Sequence, residues 1–499
     1  MNLARALLAT AEREPGRTAL RFGDTTVTFG ELAARSARTA GLLSGLAPAG
    51  ARVALVLGNE PAFVAGYLGA LGAGAIAVPC NPTAPFIELR RELDTVGAAV
   101  VVTSPASEAI AVEAAGDRKV VVLTDDGPDA APIEFVERAP ADAAALLFTS
   151  GTAGPPRPAV LTHGSLLANL EQVQRHPGLA LTPDDVGLGV LPCFHIFGLN
   201  VALALPLFAG GSVTLIEHFH PADTLRVVRD HDVTTIAAVP AIYDAWLALD
   251  ERDAPSDAFK SVRVAVSGAA ALPAGTVHAM RERFGVSVYE GYGLTEASPV
   301  VSTSAVDTRL RPGSIGPALP GVELRLVDAD GADALVGDPG EIWVHGPNVF
   351  MGYWEDEDAT RRVLTPDGWL RTGDIAVADD AGWLSLVDRA KDLVIVSGFN
   401  VYPAEVEDAL IEHADVAEAA VIGEPHPRTG EAVVAFVVPE AGHTIDRRDL
   451  LRFAQARLAR YKLPTRVEVV DELPRTFAGK LVRRALGSRA RDDATTNPR

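Results

Sequence analysis

The stretch LLFTSGTAGPPRPAVLTHGSL, from Leu146 to Leu166, has the composition of a loop that could hold phosphate. Its hydroxyl and glycine residues fall in one short run: Thr149, Ser150, Gly151, Thr152 and Gly154. Glycines let backbone N–H groups point at an anion, and Arg157 adds a fixed positive charge suited to phosphate. The spacing of a Walker P-loop, G-x-x-x-x-G-K-[ST], is absent, so composition alone also allows a plain turn.

Five further motifs follow this loop in order along the chain. They are LPCFHIFGL from Leu191, YEGYGLTE from Tyr289, RTGD from Arg371, DRAKDLVIVSGFNVYPAEVE from Asp388 and PRTFAGK from Pro474. The six motifs together resemble the adenylate-forming acyl-CoA synthetases, the AMP-binding family, over nearly the whole chain. FHIFGL, GYGLTEASP and the chain length are most similar to the fatty acyl-CoA synthetase branch. The resemblance implies ATP and CoA as co-substrates and Mg²⁺ as cofactor.

The resemblance assigns most of these residues to ATP. It implies that Glu296 binds Mg²⁺ and that Thr295 contacts the α-phosphate, with both taking part in catalysis. SGAAALP, from Ser267, is similar to the adenine-side loop, where small residues let the backbone approach the base. The ATP-binding residues so implied are Thr149, Ser150, Gly151, Thr152, Gly154, Arg157, Gly268, Ala269, Ala270, Tyr292, Gly293, Thr295, Asp374 and Arg389.

Three of these side chains have a chemical reason for their position, and one of them also has a plain alternative. Tyr292 offers an aromatic face for adenine. Asp374 could accept both ribose hydroxyls with its two carboxylate oxygens, and Arg389 would be a second ribose contact. A turn aspartate that stabilises its own backbone is the alternative for Asp374.

The resemblance also implies roles in the chemistry and in a conformational change. Lys480, a compact ammonium donor, would stabilise the charge that builds when a carboxylate attacks the α-phosphorus. Lys391 matches the hinge about which the C-terminal domain rotates, and Gly398 would then lie beside the pantetheine arm. His195 would line the wall between the carboxylate site and the pantetheine tunnel. Surface lysines and a hydrogen-bonded core histidine are the plain alternatives.

The phosphate loop departs from the family pattern TSGTTGxPKG. Ala153 stands at a threonine position, Arg157 at a lysine position and Pro158 at a glycine position. Arginine keeps the charge, but Pro158 removes an N–H and stiffens the loop. We therefore expect these changes to affect ATP affinity and rate more than reaction type.

Composition excludes several other classes of protein. A formal net charge of −21 argues against nucleic acid and against broad attraction to anionic lipid. The two cysteines cannot form a disulfide framework, which favours a reducing, cytoplasmic location. Two uncharged runs, residues 61–87 and 196–216, are interrupted by glycine and proline. We interpret each as an apolar helix, a turn and a buried strand, with no transmembrane segment.

Short apolar strands alternate with helical patterns through the first part of the chain. Strands are predicted in a hairpin over ALRFGDTTVTF and in RVALVL, AIAVP, AAVVVT, KVVVLT, AALLFT, GSVTLI, TTIAAVP and VRVAVSG. This pattern predicts an α/β fold: a large N-terminal α/β body of several subdomains with largely parallel sheets, and a small β-rich subdomain from about Pro312. A mobile C-terminal α+β domain completes it. The expected domains are residues 1–388 (AMP-binding adenylation), 389–487 (α+β cap) and 488–499 (disordered tail).

These observations lead to one function and several alternatives. We expect an acid–thiol ligase that converts a carboxylic acid, preferably a medium- or long-chain fatty acid, through acyl-AMP into its CoA thioester. Apolar stretches such as HIFGLNVALALPLF and AVPAIYDAWL favour a fatty acid. An aryl or other carboxylate, an acyl-AMP ligase that loads an acyl carrier protein, and a degenerate nucleotide-binding protein are the alternatives.

Overall fold

The computed structural model describes residues 1–149, 156–306, 309–389, 394–396, 399–401, 403–426, 430–458, 460–475, 481–483 and 485–486, with the backbone alone at 388, 389, 395, 399, 400 and 430. The described residues form two compact units. Residues 1–324 and 344–371 form the first, and residues 325–343 belong with those after 371 in the second. The predicted domain boundary between 388 and 389 stays a prediction, and the predicted tail, 488–499, lies outside the described residues.

Strands are numbered along the chain. The first fourteen are β1 (Thr18–Phe22), β2 (Thr25–Thr28), β3 (Arg52–Val56), β4 (Ile76–Cys80), β5 (Val100–Thr103), β6 (Lys119–Val122), β7 (Ala143–Thr149), β8 (Arg157–Thr162), β9 (Val186–Gly189), β10 (Ser212–Leu215), β11 (Thr235–Ala238), β12 (Val264–Ser267), β13 (Val288–Gly293) and β14 (Val300–Thr303). The others are β15 (Glu323–Val327), β16 (Pro339–His345), β17 (Gly352–Tyr353), β18 (Leu370–Ala378), β19 (Leu384–Arg389), β20 (Val394–Val396), β21 (Phe399–Val401), β22 (Val416–His426), β23 (Gly430–Pro439) and β24 (Arg466–Val469).

The helices are α1 (Leu3–Leu7), α2 (Ala9–Arg13), α3 (Phe29–Ser44), α4 (Pro61–Gly72), α5 (Phe86–Val96), α6 (Glu108–Ala115), α7 (His163–Arg175), α8 (Leu205–Phe208), α9 (Pro221–Asp230), α10 (Pro240–Leu247), α11 (Ala274–Phe284), α12 (Glu357–Val363), α13 (Pro403–Ile411) and α14 (Arg447–Gln455). A π-helix covers Phe197–Ala204, and 3₁₀ turns cover Thr295–Ala297 and Arg460–Lys462.

Two large sheets form the first unit, and both confirm the prediction of largely parallel pairing. One has eight strands in the order β14-β13-β12-β11-β9-β10-β1-β2, and the other has seven in the order β17-β8-β7-β4-β3-β5-β6. In the eight-stranded sheet, the neighbours from β1 through β10, β9, β11 and β12 to β13 are parallel. The predicted hairpin is confirmed as the antiparallel pair β1 and β2.

The two uncharged runs fold as interpreted from the sequence. In the first, all twelve residues of α4 are buried, and the fully buried strand β4 follows. In the second, the π-helix and α8 precede β10, which is also fully buried. The sequence predicted a helix here but not its π winding. No described helix is both long enough and apolar enough to cross a lipid bilayer.

Beyond the two large sheets, the β-rich and C-terminal regions predicted from the sequence are confirmed. A four-stranded sheet has the order β15-β16-β18-β19. A five-stranded sheet is built from β20 to β24, in which the long strands β22 and β23 pair antiparallel and β24 joins β23 in parallel. Helices α13 and α14 pack on this second sheet through a buried core that includes Val406, Leu410 and Leu450.

Candidate active site

The carboxyl ends of β12 and β13 bring two of the predicted motifs side by side. The two strands are parallel neighbours, with Ser267 opposite Glu290 in register. The predicted adenine-side loop starts directly after Ser267, and the YGLTE motif continues from β13. Because strand ends at one edge of a parallel sheet commonly form ligand sites, these loops are placed to form one site.

The start of the adenine-side loop is tightly packed at Gly268. A Cβ atom at Gly268 would lie 3.2 Å from the Phe197 ring and 3.3 Å from the carbonyl oxygen of Gly291. Ala269 has φ +66°, in the left-handed region that few non-glycine residues adopt. The backbone of this loop therefore lies directly against the Phe197 ring, at the beginning of the π-helix.

Glu290 connects this loop to its surroundings, a role that the sequence did not reveal. Its side chain is buried, and one carboxylate oxygen accepts the Gly313 N–H at 2.8 Å while the other accepts the Leu272 N–H at 3.5 Å. Burial raises the pKa of Glu290. The carboxylate thus fixes the far end of the adenine-side loop from the neighbouring strand.

The YGLTE motif forms a tight loop between β13 and β14. Tyr292 is only 8% exposed, and the β13–β14 register shifts between Tyr292 and Gly293. A Cβ atom at Gly293 would lie 2.2 Å from the carbonyl oxygen of Pro299, so only glycine fits. The Leu294 N–H donates to that same carbonyl at 3.1 Å, which closes the loop around the 3₁₀ turn that begins at Thr295.

Glu296 is held by a tyrosine that lies far away in the sequence. The Tyr353 hydroxyl donates to Glu296 Oε1 at 2.7 Å, and both side chains are partly buried. Burial, followed by the nearby Glu296 carboxylate, raises the pKa of Tyr353, so its hydroxyl remains a donor. Tyr353 was missed in the sequence because nothing in MGYWEDEDAT indicates this contact.

The chemistry of Glu296 fits the predicted magnesium ion. Its carboxylate is a hard oxygen ligand, and Mg²⁺ commonly binds to one or two carboxylates plus substrate phosphates. In the described part of the chain, no group of three or more His, Cys, Asp or Glu side chains is arranged as a metal site. Glu296 would supply a carboxylate oxygen to such an ion, and phosphate and water would be further ligands.

Arg157 lies at the start of β8 and forms an ion pair. Its Nε donates to Asp356 Oδ2 at 3.0 Å, and the two side chains are 30% and 36% exposed. The other oxygen of Asp356 accepts the Ala359 N–H and so caps α12. Thr149, at the end of β7, is opposite Arg157 in register and donates to its carbonyl oxygen. Contact of Arg157 with phosphate stays a prediction.

His195 lies two residues before the first residue of the π-helix. Its side chain is exposed, and its ring lies 5.3 Å from the ring of Phe194. The carbonyl oxygen of His195 accepts the Leu199 N–H, which attaches the residue to the first turn of the π-helix. Its position is compatible with a gate, and the role itself stays a prediction.

The two predicted ribose contacts are neighbours in the second unit. Asp374 in β18 is opposite Arg389 in β19 in the antiparallel register. Asp374 is 8% exposed, and its N–H donates to Thr372 Oγ1 at 3.1 Å. Gly373, directly before Asp374 in β18, has φ +73°, in the left-handed region that favours glycine. The structure thus brings Asp374 and Arg389 together on adjacent strands.

The remaining predicted site residues include Ala270, which is described and only partly buried in the adenine-side loop. The others lie outside the described residues: Ser150, Gly151, Thr152, Gly154, Lys391, Gly398 and Lys480. Their roles in phosphate binding, hinge motion, pantetheine binding and catalysis stay predictions.

Comparison with known proteins defines the family. The profile of the AMP-binding enzymes matches residues 7–354, and that of the AMP-binding enzyme C-terminal domain matches residues 405–480. The chain therefore belongs to the AMP-binding enzyme family. This confirms the class predicted from the motifs, an AMP-forming acid–thiol ligase that uses ATP.

Individual relatives differ in the acid that their names specify. A feruloyl-CoA synthase of Amycolatopsis sp is 38% identical, with 95% of this chain and 96% of that protein covered. A long-chain-fatty-acid–CoA ligase of Escherichia coli O157:H7 is 36% identical, with 93% and 90% covered. The crystal structure of ATP-bound MatB from Rhodopseudomonas palustris is 33% identical, with a TM-score of 0.91 and 98% and 99% covered. These likenesses confirm the fold over nearly the whole chain.

Proposed function

We propose that the chain activates a medium- or long-chain fatty acid and transfers it to CoA. In the first step, the acid's carboxylate attacks the α-phosphorus of ATP, which gives acyl-AMP and releases pyrophosphate. In the second step, the CoA thiol attacks the acyl carbon, which gives the thioester and releases AMP. The observation that carries this proposal is the Glu296 carboxylate, held by Tyr353 at the sheet edge beside the adenine-side loop.

Each side chain has one task in this scheme. Glu296 would hold Mg²⁺, which supplies neutralisation of phosphate charge when it is bound. Thr295 would contact the α-phosphate, and Lys480 would stabilise the charge that develops in the first step. Lys391 and Gly398 would serve the second step, with Lys391 as hinge and Gly398 beside the pantetheine arm.

The apolar wall after His195 supports a fatty acid. The π-helix and α8 together carry no charged residue from Phe197 to Phe208. An alkyl chain in contact with such a wall gains about 0.8 kcal/mol per buried methylene, or roughly fourfold in affinity. The similarity to a long-chain-fatty-acid–CoA ligase agrees with this choice.

An aryl acid is the second candidate, and two observations favour it. The Phe197 ring lies against the Gly268 backbone. This contact limits the space for a flexible alkyl chain beside Gly268. The relatives also include a feruloyl-CoA synthase and, among solved structures, a benzoate CoA ligase from Burkholderia xenovorans.

A substrate panel separates these candidates. Purified protein would be assayed with ATP, Mg²⁺ and CoA against octanoate, dodecanoate, palmitate, benzoate and ferulate. We expect kcat/KM to rise with chain length from octanoate and to exceed that for either aryl acid by tenfold or more. If kcat/KM for benzoate or ferulate instead exceeds that for the fatty acids by tenfold or more, the proposed substrate becomes an aryl acid. Acyl-AMP that reacts with a phosphopantetheinylated carrier protein but not with CoA would establish the carrier-loading alternative.

We also propose a reducing, cytoplasmic location. Cys80 and Cys193 are both buried free thiols. Burial raises the pKa of the Cys193 thiol to about 12, which keeps it protonated and unreactive. Cell fractionation with antibodies against the chain tests the location, and recovery from a secreted fraction would contradict it.

A further inference from the structure

Three buried asparagine side chains hold the backbone that directly follows Glu296. They are Asn169 on α7, Asn200 on the π-helix and Asn348 in the loop before β17, and each is at most 1% exposed. Each comes from a different part of the first unit. Together they contact a segment of only four residues, 297–300.

The three side chains act on successive parts of that segment. The Asn348 amide donates to the Ala297 carbonyl at 2.9 Å, and the Asn200 amide donates to the Ser298 carbonyl at 2.8 Å. Asn169 makes a pair of bonds, since its amide donates to the Val300 carbonyl at 2.7 Å and its oxygen accepts the Val300 N–H at 3.1 Å.

Backbone donors complete the pattern. The Phe350 N–H donates to the Glu296 carbonyl at 2.9 Å, and the Leu294 N–H donates to the Pro299 carbonyl at 3.1 Å. All five carbonyl groups from Glu296 to Val300 therefore have a donor. This segment is fixed along its whole length, although it is neither helix nor strand between Ala297 and Val300.

A fourth amide connects two of the asparagines. Gln172, which is fully buried, accepts from the Asn169 amide at 3.2 Å and donates to the Asn348 oxygen at 3.1 Å. It also donates to the Gly321 carbonyl at 3.2 Å. Because the Gln172 nitrogen occupies the Asn348 oxygen, the Asn348 nitrogen is the end that meets the segment, and the Gln172 oxygen accepts a further bond from the Asn169 amide.

Asn200 adds a connection to the π-helix, which is the proposed wall of the acid pocket. Its amide also donates to the Leu166 carbonyl at 3.3 Å, and it lies in the middle of the π-helix that follows His195. π-Helical turns are rare and occur frequently at functional sites. The segment after Glu296 is thus joined to the element that would contact the acid.

The conformation held in this way is one that the chain would not adopt alone. Ser298 has φ +68°, in the left-handed region that is costly for a residue with a Cβ atom. Such conformations persist where the surrounding structure over-determines them, and they occur mainly at functional sites. The amide network provides that determination.

We propose that Asn169, Asn200, Asn348 and Gln172, the amide clamp, are positioning residues for the adenylation step. They hold the backbone that directly follows Glu296 while Tyr353 holds its carboxylate, so the carboxylate is oriented before a metal ion and phosphate arrive. None of the four is proposed to contact the substrate. The inference rests on the proposed role of Glu296.

Amide-to-acid substitutions test the clamp. Asn348→Asp and Asn200→Asp keep the side-chain shape but remove the donor that the backbone carbonyl uses. Gln172→Glu removes the donor to the Asn348 oxygen instead, at a residue that does not itself contact the segment 297–300. Asn2→Asp is the matched control, because Asn2 is also fully buried and donates to two backbone carbonyls, at Leu71 and Val136, and has no proposed role in the reaction.

Three quantities would be measured for each variant: pyrophosphate formation as a function of free Mg²⁺, the thermal shift produced by Mg-ATP, and Tm without ligand. For the clamp variants we expect kcat per folded enzyme to fall at least tenfold and the half-saturating Mg²⁺ concentration to rise at least threefold. The KM for the acid should change less than twofold. The control should lower Tm while its Mg²⁺ dependence stays that of the wild type.

Two results would overturn the proposal. One is that the clamp variants have a lower Tm, as the control does, but keep the kcat and the Mg²⁺ dependence of pyrophosphate formation of the wild type. The other is a thermal shift by Mg-ATP that is the same in wild type and Gln172→Glu, the variant chosen to fold if the asparagine variants do not. If the wild type forms no acyl-AMP but Mg-ATP still shifts its Tm, only the proposed function is contradicted. The clamp would then be tested by comparing this Tm shift between the wild type and the clamp variants.

Discussion

At Glu296, the hydroxyl of Tyr353 donates the hydrogen bond that orients the carboxylate, and the pKa of this tyrosine is raised mainly by burial. A hydrogen bond to a charged group contributes about 1.5–3 kcal/mol. If the bond positions Glu296 for the reaction, its loss should therefore be visible in the kinetics.

Tyr353→Phe should lower kcat/KM for ATP by roughly 10- to 100-fold, because the carboxylate loses its donor. The effect should be constant from pH 6 to pH 9, since the raised pKa keeps the hydroxyl protonated over that range. Steady-state kinetics at several pH values would measure it. Tyr67→Phe is the control, because the Tyr67 hydroxyl is fully buried without a hydrogen-bond partner among the described residues. Equal losses in both variants would argue against the positioning role.

Arg157 and Asp356 give a second prediction at this scale. If Arg157 leaves Asp356 to contact phosphate, the ion pair opposes ATP binding, although a pair this exposed contributes little free energy. Asp356→Asn keeps a good helix cap but removes the charge. We expect the KM for ATP to fall by up to about fivefold with little change in Tm. An unchanged KM in this variant and in Arg157→Gln would show that Arg157 does not contact phosphate.

The sequence suggested roles for individual residues, which stay predictions, but it did not reveal their partners. Glu296, Asp374 and Arg389 were predicted from local motifs, and the structure places the last two opposite each other. The partner of Arg157 is 199 residues away, and such a contact has no local pattern. The same holds for Tyr353 and for the asparagines of the amide clamp.

At the scale of elements, helix α7, which follows β8, is joined to the amino terminus through a buried histidine. His163 is 1% exposed, and its Nδ1 accepts the Leu3 N–H at 3.1 Å. Burial lowers the pKa of His163 to about 4 from its ordinary value of 6.5. The His163 imidazole is therefore uncharged in the folded protein at neutral pH.

His163→Asn should make stability less sensitive to acid. Above pH 6.5 the histidine is neutral whether folded or unfolded and contributes no pH dependence. Between pH 6.5 and 4 only the unfolded chain binds the proton, so the free energy of unfolding falls, by about 3 kcal/mol in all. Asparagine can still accept the Leu3 N–H but does not titrate.

Denaturant unfolding of wild type and His163→Asn at pH 7.5, 6 and 5 would measure this effect. Titration of the carboxylates is common to both proteins and cancels in the difference. The advantage of the variant should grow as pH falls from 6 to 5, and a difference independent of pH would contradict the assignment.

The elements themselves were largely predictable. Strands such as β3 and β5 are short apolar runs between turn residues, and their burial on both faces follows from that pattern. The π winding of 197–204 was not predictable. It depends on tertiary contacts, including Asn200 with Ser298 and the close approach of Gly198 to the Pro192 carbonyl.

At the scale of the whole molecule, a strongly acidic chain belongs to a family that uses the anion ATP. A net charge of −21 provides no long-range attraction for such a ligand, so binding must depend on local donors. Glycine N–H groups, Arg157 and Lys480 are the predicted local donors, and Mg²⁺ at Glu296 would reduce the charge of ATP itself.

The order of six motifs predicted the family. It did not predict the acid, because the shape of a pocket depends on side chains between the motifs. Phe197 against Gly268 is one such contact, and it became visible only when the π-helix and β12 were placed together.

The most direct test of the central claim is the stoichiometry of nucleotide and thioester products for wild type and Lys480→Ala. The account predicts one AMP and one pyrophosphate per thioester in the wild type. In Lys480→Ala, formation of acyl-AMP should fall by at least 100-fold, while supplied acyl-AMP is still converted by CoA. ADP with inorganic phosphate as products, or a Lys480→Ala variant with wild-type adenylation, would contradict it.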